Sequence, residues 1–179
     1  MNTHSATATA LMITLALPTS LPAKGRTIKI TISTAHQTVP VAITGPALSQ
    51  FNIWAGPGCS VNNVPETKGF IIEWSKGAVE NRPNGLRQYQ VSFYTGCTDG
   101  DNQCNPEAEL RLSYVVLYEY DAAAGMGYVY LPGKADDWYR VNTRSILRRL
   151  EGHWFEATSS WQEYVAPIIS KIQTDNRQR

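Results

Sequence analysis

Charge of either sign is scarce in this chain and nearly balanced: 17% of its 179 residues are charged, with 16 Lys and Arg against 15 Asp and Glu, for a formal charge of +1. So weak a field does not gather nucleic acid or an anionic membrane, so no nucleic-acid partner is expected and recognition must be local. Histidine and cysteine are as sparse, being limited to His4, His36 and His153 and to Cys59, Cys97 and Cys104. There is no Cys/His zinc pattern, no Walker loop, no dinucleotide fingerprint and no glycosylation sequon, so neither a metal nor a cofactor is expected. The stretch TDGDNQC has oxygen donors at Asp99, Asp101 and Gln103 but lacks the glycine and terminal Glu of a calcium loop, and reads as a turn. Long apolar runs are missing too. The run ALMITLAL, Ala10 to Leu17, falls well short of the ~20 residues a spanning helix needs, so no integral membrane span is expected in the mature chain.

That short run is nonetheless informative. Followed by PTSLPA and Lys24, it matches the hydrophobic and cleavage regions of a secretory signal peptide, with cleavage expected after Ala23. The match departs from the pattern in two places: the first nine residues carry no Lys or Arg, and Leu21 is not small. Residues 1–23 are therefore read as a signal peptide, and the rest as exported to the periplasm, the cell surface or the medium. A hydrophobic content of 42% suffices for one core, giving a single globular domain over 24–173 and a frayed tail over 174–179. In an oxidising compartment Cys97 and Cys104, which bracket the polar turn TDGDNQ, are expected to form a disulfide. Cys59 is then left over, as a buried small hydrophobe or a free thiol.

Periodicity sets the elements. TIKITIS and TVPVAIT alternate, with Ile28, Ile30 and Ile32, then Val39, Val41 and Ile43, on one face, and Pro40 keeps the second strand at an edge. GPALSQFNIW predicts a short helix opened by Pro46, and AGPGCSVNNVPETKG a long loop. FIIEWSKG, YQVSFY and the hairpin from Leu112 to Gly133 supply further strands. NTRSILRRLEG predicts a helix capped by Asn142 or Thr143 and stopped at Gly152. SSWQEYVAPIISKIQ predicts an amphipathic helix with a Ser159 and Gln162 capping box and a kink or restart at Pro167. The fold class is α+β: a mainly antiparallel sheet of about six strands, a short early helix, and C-terminal helices packed on one face.

Three constellations are candidates for chemistry. Glu119 and Asp121, two apart on a strand, point the same way, and with Glu156 near them they suggest the paired carboxylates of a glycosidase. GPGCS sets Cys59 in a glycine-rich turn whose N–H groups suit an oxyanion, with His153 as a base if the fold brings it near. PGKADDWYR, Pro132 to Arg140, combines a glycine turn, acids, bases and two rings, making Trp138, Tyr139, Lys134 and Asp137 a candidate aromatic surface for a glycan or a protein.

The segments FNIWAGPG, GFIIEW, YQVSFY, YVYLPGKADDWYR and HWFEATSSW run through nearly the whole mature chain and resemble a group of uncharacterised bacterial exported proteins. The resemblance implies export and supplies no activity and no catalytic residue; Cys97 and Cys104 stand outside its pattern. The function expected is a small non-catalytic binding or interaction module of the envelope or extracellular space. A hydrolase of envelope glycans and a structural envelope protein are the alternatives.

Overall fold

The alternating segments become one six-stranded antiparallel sheet in the computed structural model, which describes residues 26–35, 39–61, 64–65, 69–96 and 110–177. The signal-peptide reading of 1–23, the Cys97 to Cys104 pairing and the TDGDNQC turn lie outside these residues. The strands are β1 (Thr27–Ser33), β2 (Val41–Ile43), β3 (Ser60–Val61), β4 (Val64–Pro65), β5 (Gln88–Thr95), β6 (Arg111–Asp121), β7 (Met126–Tyr130) and β8 (Trp154–Glu156). The large sheet runs β2-β1-β5-β6-β7-β8, while β3 and β4 form a separate ribbon. Two helices follow the hairpin, α1 (Tyr139–Ser145) and α2 (Ser159–Arg177), and a 3-10 turn occupies Pro46–Gln50. The chain is α+β.

Antiparallel pairing aligns the core. Tyr89, Tyr118, Val129 and Phe155 lie side by side across four strands, and Ile32, Val91 and Val116, then Ile30, Phe93 and Tyr114, fill the rows behind them. All ten are buried. Helix α2 covers this face with Trp161, Val165, Ile169 and Ile172, a helical stripe in which Trp161 meets Tyr118 and Phe51 edge-on, with ring centroids 6.1 and 5.0 Å apart. Each fully buried aliphatic or aromatic side chain stabilises by roughly 1.5–3 kcal/mol, so this stripe fixes the helix on the sheet.

Several elements depart from the sequence expectation, each for a physical reason. Helix α2 is capped by Thr158, whose hydroxyl accepts from the Trp161 N–H at 3.4 Å, and Gln162 donates to the Ala157 carbonyl at 2.6 Å. The helix continues through Pro167 to Arg177, past the start of the expected tail. Pro167 and Glu163, whose carbonyl loses its helical donor, are both on the exposed side, while Val165 and Ile169 hold the helix to the core. Val39 is 73% exposed and outside β2. Ile28 is only half-buried, because the register shifts between Thr27 and Lys29. FIIEW is no strand: Phe70, Ile71 and Ile72 are all buried, and a 3-10 turn begins at Trp74. The segment instead runs along the outer side of β8, where Ile72 bridges Ala157, Ala78 bridges Phe155, and the Glu73 and Val79 N–H groups bond the Glu156 and Trp154 carbonyls. One edge of the sheet is thereby covered, and β2 forms the other.

Helix α1 starts and stops earlier than NTRSILRRLEG suggests, and Asn142 does not cap it. Asn142 is fully buried; its amide oxygen accepts from the Val115 N–H and its amide nitrogen donates to the Val115 carbonyl, both at 2.7 Å. The pairing of β6 with β7 ends at Leu117 and Tyr130, which leaves Val115 facing no strand on that side. The Asn142 side chain replaces the missing peptide.

Candidate functional site

The outer face of the sheet gathers the polar and aromatic groups. Gln88, Glu119, Tyr128 and Glu156 form one row across β5 to β8, and Gln90, Leu117, Tyr130 and Trp154 the next. Tyr130 and Trp154, both partly exposed, pack at 5.0 Å between ring centroids. The Arg82 guanidinium lies 3.9 Å from the Trp154 centroid and pairs with the Glu119 carboxylate. Glu119 is only 4% exposed and also accepts from the Gln88 amide at 3.5 Å. Burial pushes its carboxyl above the ordinary carboxylate range, outweighing the opposing pull of Arg82 and Gln88.

The three carboxylates do not converge. Glu119 and Glu156 share a row but have Tyr128 between them, and Glu156 pairs with Lys76. Asp121 accepts the Ala123 and Ala124 N–H groups at 2.9 and 3.2 Å, closing the hairpin turn. Each carboxylate already has its own cation or backbone donors.

The loop from 132 to 139 is brought to the same face. Asp136 accepts the Tyr130 hydroxyl at 2.9 Å and the Gly133 N–H at 2.6 Å, which fixes the loop beside the ring pair. Lys134 and Asp137 are exposed, and Trp138 and Tyr139 are half-buried at the start of α1. The Tyr130 hydroxyl is held above its usual range by burial and by the Asp136 carboxylate. The hairpin's exit and the β8 tryptophan thus form one surface. Arg82 was not legible in the sequence, because NRPNG carries only loop signals; for Trp154 the alternation of HWFE was the available signal.

Cys59 and His153 are in separate settings. Cys59 is a half-buried free thiol, whereas His153 is exposed with its Nδ1 3.3 Å from the Leu150 carbonyl oxygen, and no hydrogen bond joins the two among the described residues. The glycine-rich turn also has the opposite polarity to an oxyanion hole. Its carbonyls from Ile53, Ala55 and Pro57 accept from the guanidinium of Arg148, the latter two at 2.8 and 2.9 Å, and the Cys59 N–H is used on the Gly56 carbonyl at 3.2 Å. Arg148 is 3% exposed, donates to the Tyr114 hydroxyl at 3.1 Å, and lies 4.9, 5.1 and 5.3 Å from the rings of Phe70, Trp74 and Tyr114. Among the described residues no carboxylate forms an ion pair with it. Gly56 and Gly58 are required here. Both have positive φ, and a Cβ would come within 2.3 Å of the Trp74 indole at Gly56 and within 2.4 Å of the Leu147 carbonyl oxygen at Gly58.

On the opposite side, a cleft of about 740 Å³ opens between residues 69–75 and the first turn of α2. Gln50, Phe70, Trp74, Ser75 and Ser160 line it, a volume within the ~300–1,000 Å³ typical of ligand pockets. The Glu73 carboxylate at its rim already accepts from the Ser75 hydroxyl and N–H. Among the described residues no cluster of His, Cys, Asp and Glu could hold a metal ion, and no helix is long and apolar enough to cross a membrane. No family model matches the chain, and neither a curated protein nor a solved structure does.

Proposed function

We propose that this protein is a small exported binding module without a catalytic role, which takes its ligand on the outer sheet face where Tyr130 and Trp154 meet the 132–139 loop. The observation that carries this reading is the half-exposed ring pair, tied to that loop through Tyr130 and Asp136. Rings held rigidly by a sheet offer large contact area at little entropic cost, and the exposed Lys134 and Asp137 supply polar contacts at the rim. Export rests on the N-terminal apolar run and on the resemblance to exported proteins. Hydrolysis is the weaker alternative. Burial keeps Glu119 protonated to higher pH, as a general acid needs, but Asp121 and Glu156 are both committed elsewhere.

Glycan and peptide arrays probed with the chain from Lys24 onward test the reading. A hit lost in Trp138→Ala or Tyr130→Ala, with the far-UV spectrum unchanged, supports the surface; a hit that survives both places the site elsewhere. Mass spectrometry of the secreted protein tests the Ala23 cleavage and the Cys97 to Cys104 bond together.

A further inference from the structure

Arg82 occupies the outer face in the way a ligand would. Its guanidinium lies over the Trp154 ring, 3.9 Å from the centroid, and pairs with a carboxylate that is almost wholly buried. The arm that delivers it is weakly held. Among the described residues the backbone of 80–87 makes no hydrogen bond to the rest of the protein; the one bond it accepts comes from Arg82 itself, onto the Pro83 carbonyl at 3.3 Å. All of these residues except Arg82 and Leu86 are exposed. The nearest backbone anchors are the Val79 N–H on Trp154 and the start of β5 at Gln88.

We propose that the box formed by Trp154, Glu119 and Gln88 is a subsite for an arginine side chain of a partner peptide, and that Arg82 is its built-in occupant, displaced when that peptide binds. The inference rests on the binding reading above and adds the ligand class. A planar guanidinium meets two features at once, an indole face and one oxygen of a buried carboxylate whose other oxygen accepts from the Gln88 amide. A sugar would satisfy the ring but leave Glu119 without a cation, so that its carboxyl must either remain charged in a buried site or take up a proton, a cost that an arginine avoids. A partner's arginine replaces Arg82 charge for charge and leaves no group unpaired. Tyr130, packed 5.0 Å from Trp154 between ring centroids, and the exposed Asp137 and Lys134 of the loop tied to it then offer further contacts to the incoming chain.

The test is a titration of the Trp154 indole N–H resonance, assigned through Trp154→Phe, with N-acetyl-arginine amide and with its uncharged citrulline counterpart. Arg82→Ala is expected to bind the arginine probe at least about tenfold more tightly than the wild type, because the wild type must first vacate the subsite. Neither protein should respond to the citrulline probe, and Arg82→Ala with Glu119→Gln should respond to neither. A folded Arg82→Ala that shows no shift, or shifts equally with citrulline, overturns the proposal. If Arg82→Ala does not fold, the wild type is titrated with a tri-arginine peptide; absence of any Trp154 shift at saturating concentrations overturns it too. An array hit on a glycan at this face, with no arginine response, leaves the binding reading standing and refutes only the arginine subsite.

Discussion

Replacing Arg148 tests how the loop from Ile53 to Gly58 is held. Arg148→Met keeps much of the aliphatic volume and removes every donor, which leaves the carbonyls of Ile53, Ala55 and Pro57 and the Tyr114 hydroxyl without their present partner. A buried polar group left unpaired costs ~1–3 kcal/mol. Pro57 sits where water can reach it, so about three groups bear that cost. The gross loss is then roughly 3–9 kcal/mol by the same figure. Against it stands the relief of no longer burying a guanidinium that has no carboxylate partner among the described residues, a penalty of several kcal/mol. The carbonyls and the three rings already offset most of that penalty, so the relief is partial. A net destabilisation of about 3 kcal/mol is expected, a large share of the ~5–15 kcal/mol that holds a domain together. Urea unfolding followed by circular dichroism and tryptophan fluorescence should show the midpoint falling with the slope unchanged, and Tm dropping by roughly 6–12 °C. Arg148→Lys should recover only part of the loss, since one ammonium cannot span the fork of acceptors. Arg148→Met within 1 kcal/mol of the wild type would refute the reasoning, by showing that the carbonyls find water as readily as they find the guanidinium.

Three further outcomes follow from particular contacts. Asn142→Leu should cost about 2–3 kcal/mol and strip the Val115 amide of its protection in hydrogen exchange, because both Val115 backbone groups lose their partner. Gly58→Ala should destabilise by about 2 kcal/mol or more, through positive φ and the clash with Leu147, whereas Gly85→Ala, with open space around it, should cost only about 1 kcal/mol; thermal melts compare them. The carboxyl of Glu119 is raised in the folded state, so the fold binds its proton more tightly than the unfolded chain does. Stability from this group is complete below the ordinary carboxylate range and is lost as pH rises through the raised value. Urea midpoints measured between pH 4 and 8 should show that decline in the wild type and its absence in Glu119→Gln, and Arg82→Ala should move the decline to higher pH.

The sheet was legible in the sequence because its strands alternate, and alternation is read directly as a buried face: Ile30, Ile32, Val91, Phe93, Val116 and Tyr118 all point to the core. FIIEW misleads for the same reason. Its alternation is incidental, since Ile71 is as buried as Phe70 and Ile72, and a segment packed on all sides has no period to read. The 132–139 loop was identified by composition alone. The position of Asp136 on Tyr130 adds what composition cannot, which is the strand that the loop rests against. Arg148, Asn142 and Arg82 were not legible at all. Each is a polar residue in a helical or loop context, where exposure is the rule, and each is tied to residues 27 to 95 positions away. The two cations and the peptide mimic become visible only once β6 is in place.

The two arginines of this fold bear different relations to their surroundings, and the difference bears on function. Arg148 is enclosed, and its acceptors are mostly main-chain carbonyls of one turn, groups that cannot move without unfolding that turn. Such a cation is part of the backbone's own hydrogen-bond accounting, and nothing outside can take its place. Arg82 keeps 27% of its side chain exposed, sits on an arm whose backbone, among the described residues, makes no hydrogen bond to the rest of the protein between 80 and 87, and addresses two side-chain groups, a ring and a carboxylate, that belong to the sheet. A charge held by a rigid partner and delivered by a loose arm is exchangeable in principle, because the rigid half stays preorganised when the arm leaves. The cost of that departure is the buried charge on Glu119, which a second cation offsets without the carboxyl having to take up a proton. The buried carboxylate is therefore what turns an aromatic surface into one that discriminates by charge.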